Sequence, residues 1–344
     1  MFKFDLKRRE CDMICAVAVD RMNYHRDNAT AHCCAGCGKA EGGGLVSLKV
    51  CKSCMLAKYC NAACQRKHWP THKADCKIQA AKIRDEALFK EPPPKEDCPI
   101  CFLPLPSRLI CCVSLPPATI SSVPIYDFAG ANEELADEAT EDCYPCCGKT
   151  ICRGCIYSSH KSGNTRKCPF CNSDRGSKTN EEMVEEMMKR VEANDADSIC
   201  MLADSYYQGL NGLQQDQTKA MELYARAITL GCSEAHGKLG GIYHEGGDMK
   251  KAKFHCEAAA MAGHEVARFN LGSMEDNSGN MERAIKHWAI GASAGCYRAM
   301  HALITFFKQG IGSRESIDST LAAYNASSAE MRSEARDAFI RIYL

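Results

Sequence analysis

Thiols and imidazole dominate the chemistry open to this sequence. Between residues 34 and 76 they fall as Cys34-x2-Cys37, Cys51-x2-Cys54, Cys60-x3-Cys64 and His72-x3-Cys76. Thiolate sulfur and neutral imidazole nitrogen bind zinc in tetrahedral, four-coordinate sites, so this set of donors predicts a pair of ions. Two residues between thiols form a tight knuckle that points both sulfurs at one ion. A three-residue gap places Cys60 with Cys64, and His72 with Cys76, on one face of a helical turn, so each pair can close a site begun elsewhere. A short segment rich in Gly and Lys cannot bury enough apolar surface by itself, and zinc would supply its folding energy.

The order of these ligands, Tyr59 ahead of Cys60, and the run Gln65-Arg66-Lys67-His68-Trp69-Pro70-Thr71-His72-Lys73 resemble the MYND zinc finger. The resemblance implies interleaved sites, one from Cys34, Cys37, Cys60 and Cys64 and the other from Cys51, Cys54, His72 and Cys76. It also implies a surface for short proline-containing peptides, with Gln65 and Trp69 at contact positions. Trp69 fits equally a ring packed on the small core. His68 is not needed as a ligand and reads as solvated, as do the Lys and Arg residues between Lys49 and Arg84. Nucleic acid is therefore not the expected partner.

Residues 80–90 read as helix, and Glu91-Pro92-Pro93-Pro94-Lys95 breaks it into an extended linker. Beyond it come Cys98-Pro99-Ile100-Cys101, the middle run Cys147-Gly148-Lys149-Thr150-Ile151-Cys152-Arg153-Gly154-Cys155, and Cys168-Pro169-Phe170-Cys171. These resemble a RING finger. The resemblance implies one zinc on Cys98, Cys101, Cys152 and Cys155, and a second on Cys147, Cys168, Cys171 and one further ligand. Lys149 stands at the usual histidine position, and a protonated lysine cannot ligate zinc. Cys146 or Cys143 must serve instead, Cys146 being the nearer, which makes an all-cysteine variant. RING fingers of ubiquitin ligases hold a ubiquitin-charged conjugating enzyme in position. Ile100 and Pro169 match the family's contact residues, whereas Asn172 replaces the basic residue that often follows the last cysteine. The insertion at 102–142 carries Pro104, Pro106, Pro116 and Pro117, the unassigned Cys111-Cys112, and an acidic run over 133–142 that reads as a solvated loop.

A different pattern follows Thr179. Met183, Val184, Met187, Met188 and Val191 keep helical spacing behind a helix start at Thr179 to Glu182. Leu202, Leu239, Leu271 and Leu303 are then separated by 37, 32 and 32 residues. Ala220, Ala252 and Ala284, and likewise Gly231, Gly263 and Gly295, keep the 32-residue period. Each unit reads as two helices, with the alanine allowing close approach and the glycine ending the second helix in a left-handed turn. The phrases Leu239-Gly240-Gly241-Ile242-Tyr243, Leu271-Gly272 and Lys219-Ala220-Met221-Glu222-Leu223-Tyr224 resemble Sel1-like repeats, relatives of the TPR. The first unit has an enlarged loop around 211–216, and the remainder past Gly310, with Met331, Ala335, Phe339 and Ile342, reads as a terminal cap. Such solenoids offer a concave face to a protein client.

The expected fold class is thus small zinc-stabilised modules followed by an all-α solenoid of helix pairs. Its segments are an N-terminal stretch (1–32), a MYND-type finger (33–78), a helix and Pro-rich linker (79–97), a RING-like finger (98–172) and repeats with a cap (179–344). Lys plus Arg and Asp plus Glu both number 43, so no global field favours nucleic acid or an anionic membrane. No apolar run suits a secretion signal or a membrane span. The 25 cysteines, taken as metal ligands and not as disulfides, point to a reducing compartment, cytoplasm or nucleus. Cys200, Cys232, Cys256 and Cys296 sit singly among helical residues and read as small buried hydrophobes. The ligand sets read as full, with no open position for a catalytic water, and neither a Gly-x-Ser-x-Gly nor a phosphate loop is present. The expectation is a zinc-binding adaptor holding about four Zn2+ and resembling a RING-type ubiquitin ligase. The alternative is a scaffold without ligase activity.

Overall fold

Cysteine knuckles need short, stiff supports, and the chain builds them from two hairpins. The computed structural model describes residues 33–39, 47–105, 141–174 and 176–343. Residues 1–32, most of the 102–142 insertion with Cys111-Cys112, and nearly all of the acidic run lie outside the described residues. The chain divides into two units, Met1–Lys90 and Glu91–Leu344.

In the first unit β1 (Lys49–Val50) pairs antiparallel with β2 (Lys58–Tyr59), Lys49 lying opposite Tyr59. Helix α1 (Ala62–Leu88) follows, capped by the Asn61 side chain, which accepts from the Cys64 N–H at 2.9 Å. The sequence suggested a separate helix near residue 80. Instead α1 runs unbroken through Pro70 and carries Cys64, His72 and Cys76 on the same rod.

The second unit opens with the linker, whose Glu96 carbonyl accepts from the Leu105 amide at 2.8 Å. Strands β3 (Glu141–Tyr144) and β4 (Lys149–Cys152) pair antiparallel, with Tyr144 opposite Lys149, and α2 (Arg153–Lys161) leaves directly from β4. Helix α3 (Asn180–Glu192) starts in a capping box made by Thr179 and Glu182.

Four helix pairs come next: α4 (Ala196–Gln208) with α5 (Gln217–Thr229), α6 (Ser233–Glu245) with α7 (Met249–Met261), α8 (Glu265–Asn277) with α9 (Met281–Ser293), and α10 (Tyr297–Lys308) with α11 (Arg314–Glu330). Leu202, Leu239, Leu271 and Leu303 are all buried, and Ala220, Ala252 and Ala284 are fully so. Gly231, Gly263 and Gly295 turn at φ of 92°, 94° and 87°, the left-handed conformation that their spacing implied. The four single cysteines are buried. Across the pairs the buried Glu275 carboxylate receives Lys253 at 2.6 Å, Asn280 at 2.8 Å and Arg283 at 3.2 Å. Burial acts to raise its pKa, but these partners outweigh it and hold it at about 2.

The segment expected as a single cap behaves as two. Helix α11 packs on α9 and α10 and closes the array, whereas α12 (Glu334–Tyr343) packs against α2 of the second zinc module. Among the described residues no helix is long and apolar enough to cross a membrane.

Close packing within the array gives a test. A Cβ at Gly272 would stand 2.3 Å from Nε1 of Trp288, a ring that is 3% exposed and bonded to the Phe269 carbonyl at 3.2 Å. Ala normally gains about 1 kcal/mol over Gly inside a helix. Overpacking against a rigid indole costs about 1–3 kcal/mol, so the sign should reverse. Gly272→Ala should lower the unfolding midpoint of the array followed by Trp288 fluorescence, and a raised midpoint would contradict this packing.

Candidate metal centres

Four of the Cys-x-x-Cys knuckles close through the same turn. The amides of Gly38, Met55, Phe102 and Asn172 donate to the carbonyls of Cys34, Cys51, Cys98 and Cys168 at 2.7, 2.9, 2.9 and 3.0 Å. Each donor is the residue after the second cysteine, and each is left-handed, at φ of 72°, 57°, 55° and 60°. For a bulky side chain such as Met55 or Phe102 this conformation costs about 1–2 kcal/mol. Asn172 tolerates it, which gives a local reason for asparagine where a basic residue was expected.

The hairpins and helices bring the knuckles together in four groups: Cys34, Cys37, Cys60 and Cys64; Cys51, Cys54, His72 and Cys76; Cys98, Cys101, Cys152 and Cys155; Cys146, Cys147, Cys168 and Cys171. Within each group the four donor atoms lie within 4.8 Å of one another. Sulfurs bound to one tetrahedral zinc at about 2.3 Å stand about 3.8 Å apart. Here Cys37 and Cys60 are 3.7 Å apart, Cys51 and Cys76 3.7 Å, Cys98 and Cys155 3.9 Å, Cys101 and Cys152 3.9 Å, and Cys147 and Cys168 3.8 Å. Cys146 lies 3.5 Å from Cys171, while Cys143 pairs its backbone with Thr150 in the hairpin. Lys149 is exposed and stands outside the groups. Donor type, number and spacing all fit zinc, and each group can hold one ion, about four in all.

Backbone amides favour the thiolate at two ligands of the first unit, Cys34 and Cys51. Burial acts to raise the Cys34 thiol, but N–H groups of Cys60, Gly36 and Cys37, with the Cys37 thiol, lower it to about 6. Cys51 shows the same balance: burial is outweighed by the Cys54 amide and the His72 ring, and it falls to about 7. His72 presents Nε2 to Cys54 at 3.3 Å. His68, expected in solvent, stacks on His72 with centroids 5.4 Å apart and shares a 3.0 Å hydrogen bond between its Nδ1 and the Tyr59 hydroxyl. Sequence spacing had not marked this outer support, although Tyr59 and the i, i+4 relation of His68 and His72 were visible.

The residues expected to touch partners occupy different surroundings. Trp69 is 40% exposed and meets His72 edge-on at 6.2 Å, so its ring partly covers the ligand. Gln65, one turn earlier, is half-buried. A nearby cleft is lined by Cys54, Leu56, Ala57, His72, Asp75 and Gln79. In the second module Ile100 packs on a core of Cys98, Leu105, Tyr144, Ile151 and Ile156. Pro169 is half-buried, whereas Phe102 is 77% and Phe170 47% exposed.

Residues 34–76 match the family model of the MYND finger. Over 42 residues the chain is 53% identical to "Histone-lysine N-methyltransferase SMYD3" of Homo sapiens, a stretch covering 12% of this chain and 10% of that protein. The Mus musculus protein of the same name is 48% identical over 33 residues, 10% of this chain and 8% of the relative. The chain thus spans a tenth or less of these relatives' length. Among solved structures, a Sel1 repeat protein from Oxalobacter formigenes is similar at 22% identity and a TM-score of 0.38, covering 53% of this chain and 74% of its own. The protective antigen c5321 of uropathogenic Escherichia coli, with an SLR fold, shows 18% identity, a TM-score of 0.38, and coverage of 49% and 45%. The helix-pair array rests on the contacts within this chain itself.

Metal analysis of the purified chain should return about four zinc ions, one per tetrahedral set. Cys60→Ala should lower that number and unfold the finger while leaving the helical signal of the array, because the second unit has its own interior. Two ions or fewer in the unaltered chain would remove one module from the reading.

Proposed function

We propose that the chain is a zinc-dependent protein-interaction adaptor: a MYND finger and a helix-pair array choose partners, and a second, RING-like zinc module stands between them in sequence. The observation that carries this is the completeness of the four donor sets, each with four protein ligands. Zinc held that way is structural, because no coordination position remains for a reacting water. The proposed ligands are Cys34, Cys37, Cys60 and Cys64; Cys51, Cys54, His72 and Cys76; Cys98, Cys101, Cys152 and Cys155; and Cys146, Cys147, Cys168 and Cys171. Thiolates kept for metal suit the reducing cytoplasm or nucleus.

For the finger the proposed partner is a proline-containing peptide laid across Gln65 and Trp69. The exposed edge of Trp69, with Val50, Met55 and Leu56 also exposed in the same unit, supports an apolar contact surface. Trp69→Ala should weaken such peptides by about tenfold or more in a fluorescence-anisotropy titration, as for a central aromatic at an interface, with zinc content unchanged. Equal affinity would leave Trp69 as packing for His72.

A second reading is favoured by the exposed Phe102 and Phe170, which follow Ile100 and Pro169 in their knuckles. It takes the RING-like module as the seat of a ubiquitin-conjugating enzyme, which it positions without covalent chemistry of its own. Losing one buried aliphatic contact of about 1.5–3 kcal/mol reduces a weak encounter at least about tenfold. Ile100→Ala should then abolish ubiquitin transfer in an autoubiquitination assay with zinc retained. No transfer by the unaltered chain with any of a panel of conjugating enzymes would leave the scaffold reading alone.

A further inference from the structure

The third metal cluster has a neighbour that its own module does not supply. Arg336, in the first turn of α12, is 5% exposed and reaches the knuckle of Cys98 and Cys101 from more than 230 residues away in sequence. Its Nη1 donates to the carbonyls of Pro104 at 2.7 Å and Met331 at 2.6 Å. Its Nη2 donates to the Leu103 carbonyl at 3.3 Å and to Cys101 Sγ at 3.4 Å. The Cys152 sulfur also faces the guanidinium. The helices meet at Gly154, between ligands Cys152 and Cys155: a Cβ there would stand 2.6 Å from the Arg336 amide nitrogen and 2.8 Å from its Cα. The first turn of α12 is itself fixed, with the Ser333 hydroxyl accepting from the Arg336 amide at 3.2 Å and Arg332 paired with Asp337 at 3.2 and 3.1 Å.

We infer that Arg336 is a positioning residue of the third zinc centre, and that the C-terminal helix is part of that centre. Four thiolates around one divalent ion leave a net negative charge in a partly dry site, which a buried cation offsets. A planar fork bonding one ligand sulfur and the two carbonyls that follow it also fixes the knuckle, as outer partners of metal ligands do. Zinc retention at this centre is therefore coupled to docking of α12, and the C-terminal helix holds the ion together with the module.

The inference rests on zinc filling the third cluster, and the test separates the two. The full chain is loaded with zinc, its ions are counted, and release to a chromophoric chelator is followed for the unaltered chain, Arg336→Met and Arg336→Lys. Arg336→Met should speed release of one ion about 10–100-fold and leave three unchanged, the usual cost of removing such a partner. Arg336→Lys, which keeps the charge but loses the fork, should fall between. With Co2+ in place of zinc, Arg336→Met should shift part of the sulfur-to-metal charge-transfer band to longer wavelength, because a thiolate stripped of an N–H donor gives up charge more easily. Retained helical circular dichroism guards against misfolding, and Arg336→Lys keeps the test decisive if Arg336→Met fails to fold. Four bound ions with unchanged release and an unchanged cobalt spectrum would overturn the role of Arg336. Fewer than four ions in the unaltered chain, with the third cluster empty, would overturn the zinc assignment beneath it.

Discussion

Sulfur gathered around a metal is the interaction on which the N-terminal half depends. Among the described residues of the first unit one buried cluster is Cys34, Cys51, Cys54, Tyr59 and Cys76, so apart from one tyrosine that cluster consists of the donors themselves. Such a cluster offers little apolar area, and its folding must draw on metal–ligand energy. The second module adds Leu105, Tyr144, Ile151 and Ile156 to its cysteines. The array is different again, with Leu, Ala, Met and Trp288 forming an ordinary hydrophobic core at its far end. Metal dependence should therefore decline along the chain, which is why a lesion at Cys60 can spare the repeats.

The left-handed residue after four of the knuckles shows how local geometry serves that interaction. Turning the backbone at Gly38, Met55, Phe102 and Asn172 sends the chain away from the two sulfurs and leaves both aimed at one point. Glycine fills only one of these four places. Where Met55 and Phe102 accept the conformational cost, the side chain is also left in solvent, at 38% and 77% exposure. Neither burial nor backbone ease accounts for a phenylalanine there.

Much of this architecture was legible because it is written in short-range spacing. Cys-x-x-Cys intervals, the 32-residue period and the glycines at Gly231, Gly263 and Gly295 each constrain residues close in sequence, and the structure uses them as their spacing implied. What escaped depended on distant or competing terms. Helix α1 continues through Pro70, although proline removes a donor that the Arg66 carbonyl would otherwise receive. His68 became an outer support for His72 by stacking, which no interval announces. The docking of α12 beside the Cys98–Cys101 knuckle joins residues more than 230 apart. Its one local trace is Gly154, small where two helices need to approach, and a lone glycine between two cysteines does not reveal what lies against it.

Electrostatics explains why that distant docking falls where it does. The chain carries no net charge, so compensation of the thiolate groups has to be local. In the second unit it comes from a basic residue on an element beyond the module, Arg336 at Cys101, while Arg190 of α3 lies against Gly148 and is paired with Asp195. Lys178 adds a charge felt at Cys146, while it also binds Glu186 and, at 2.9 Å, the Ser173 hydroxyl. The linker is held in the same way, with Lys95 3.7 Å from the Glu265 carboxylate and Pro93 against Gly263. A second zinc module bound at so many points is not a bead on a flexible string. Whatever docks on the array meets a body whose metal centres and helices share contacts, so a partner that shifts α12 or α3 would act on the zinc ligands directly.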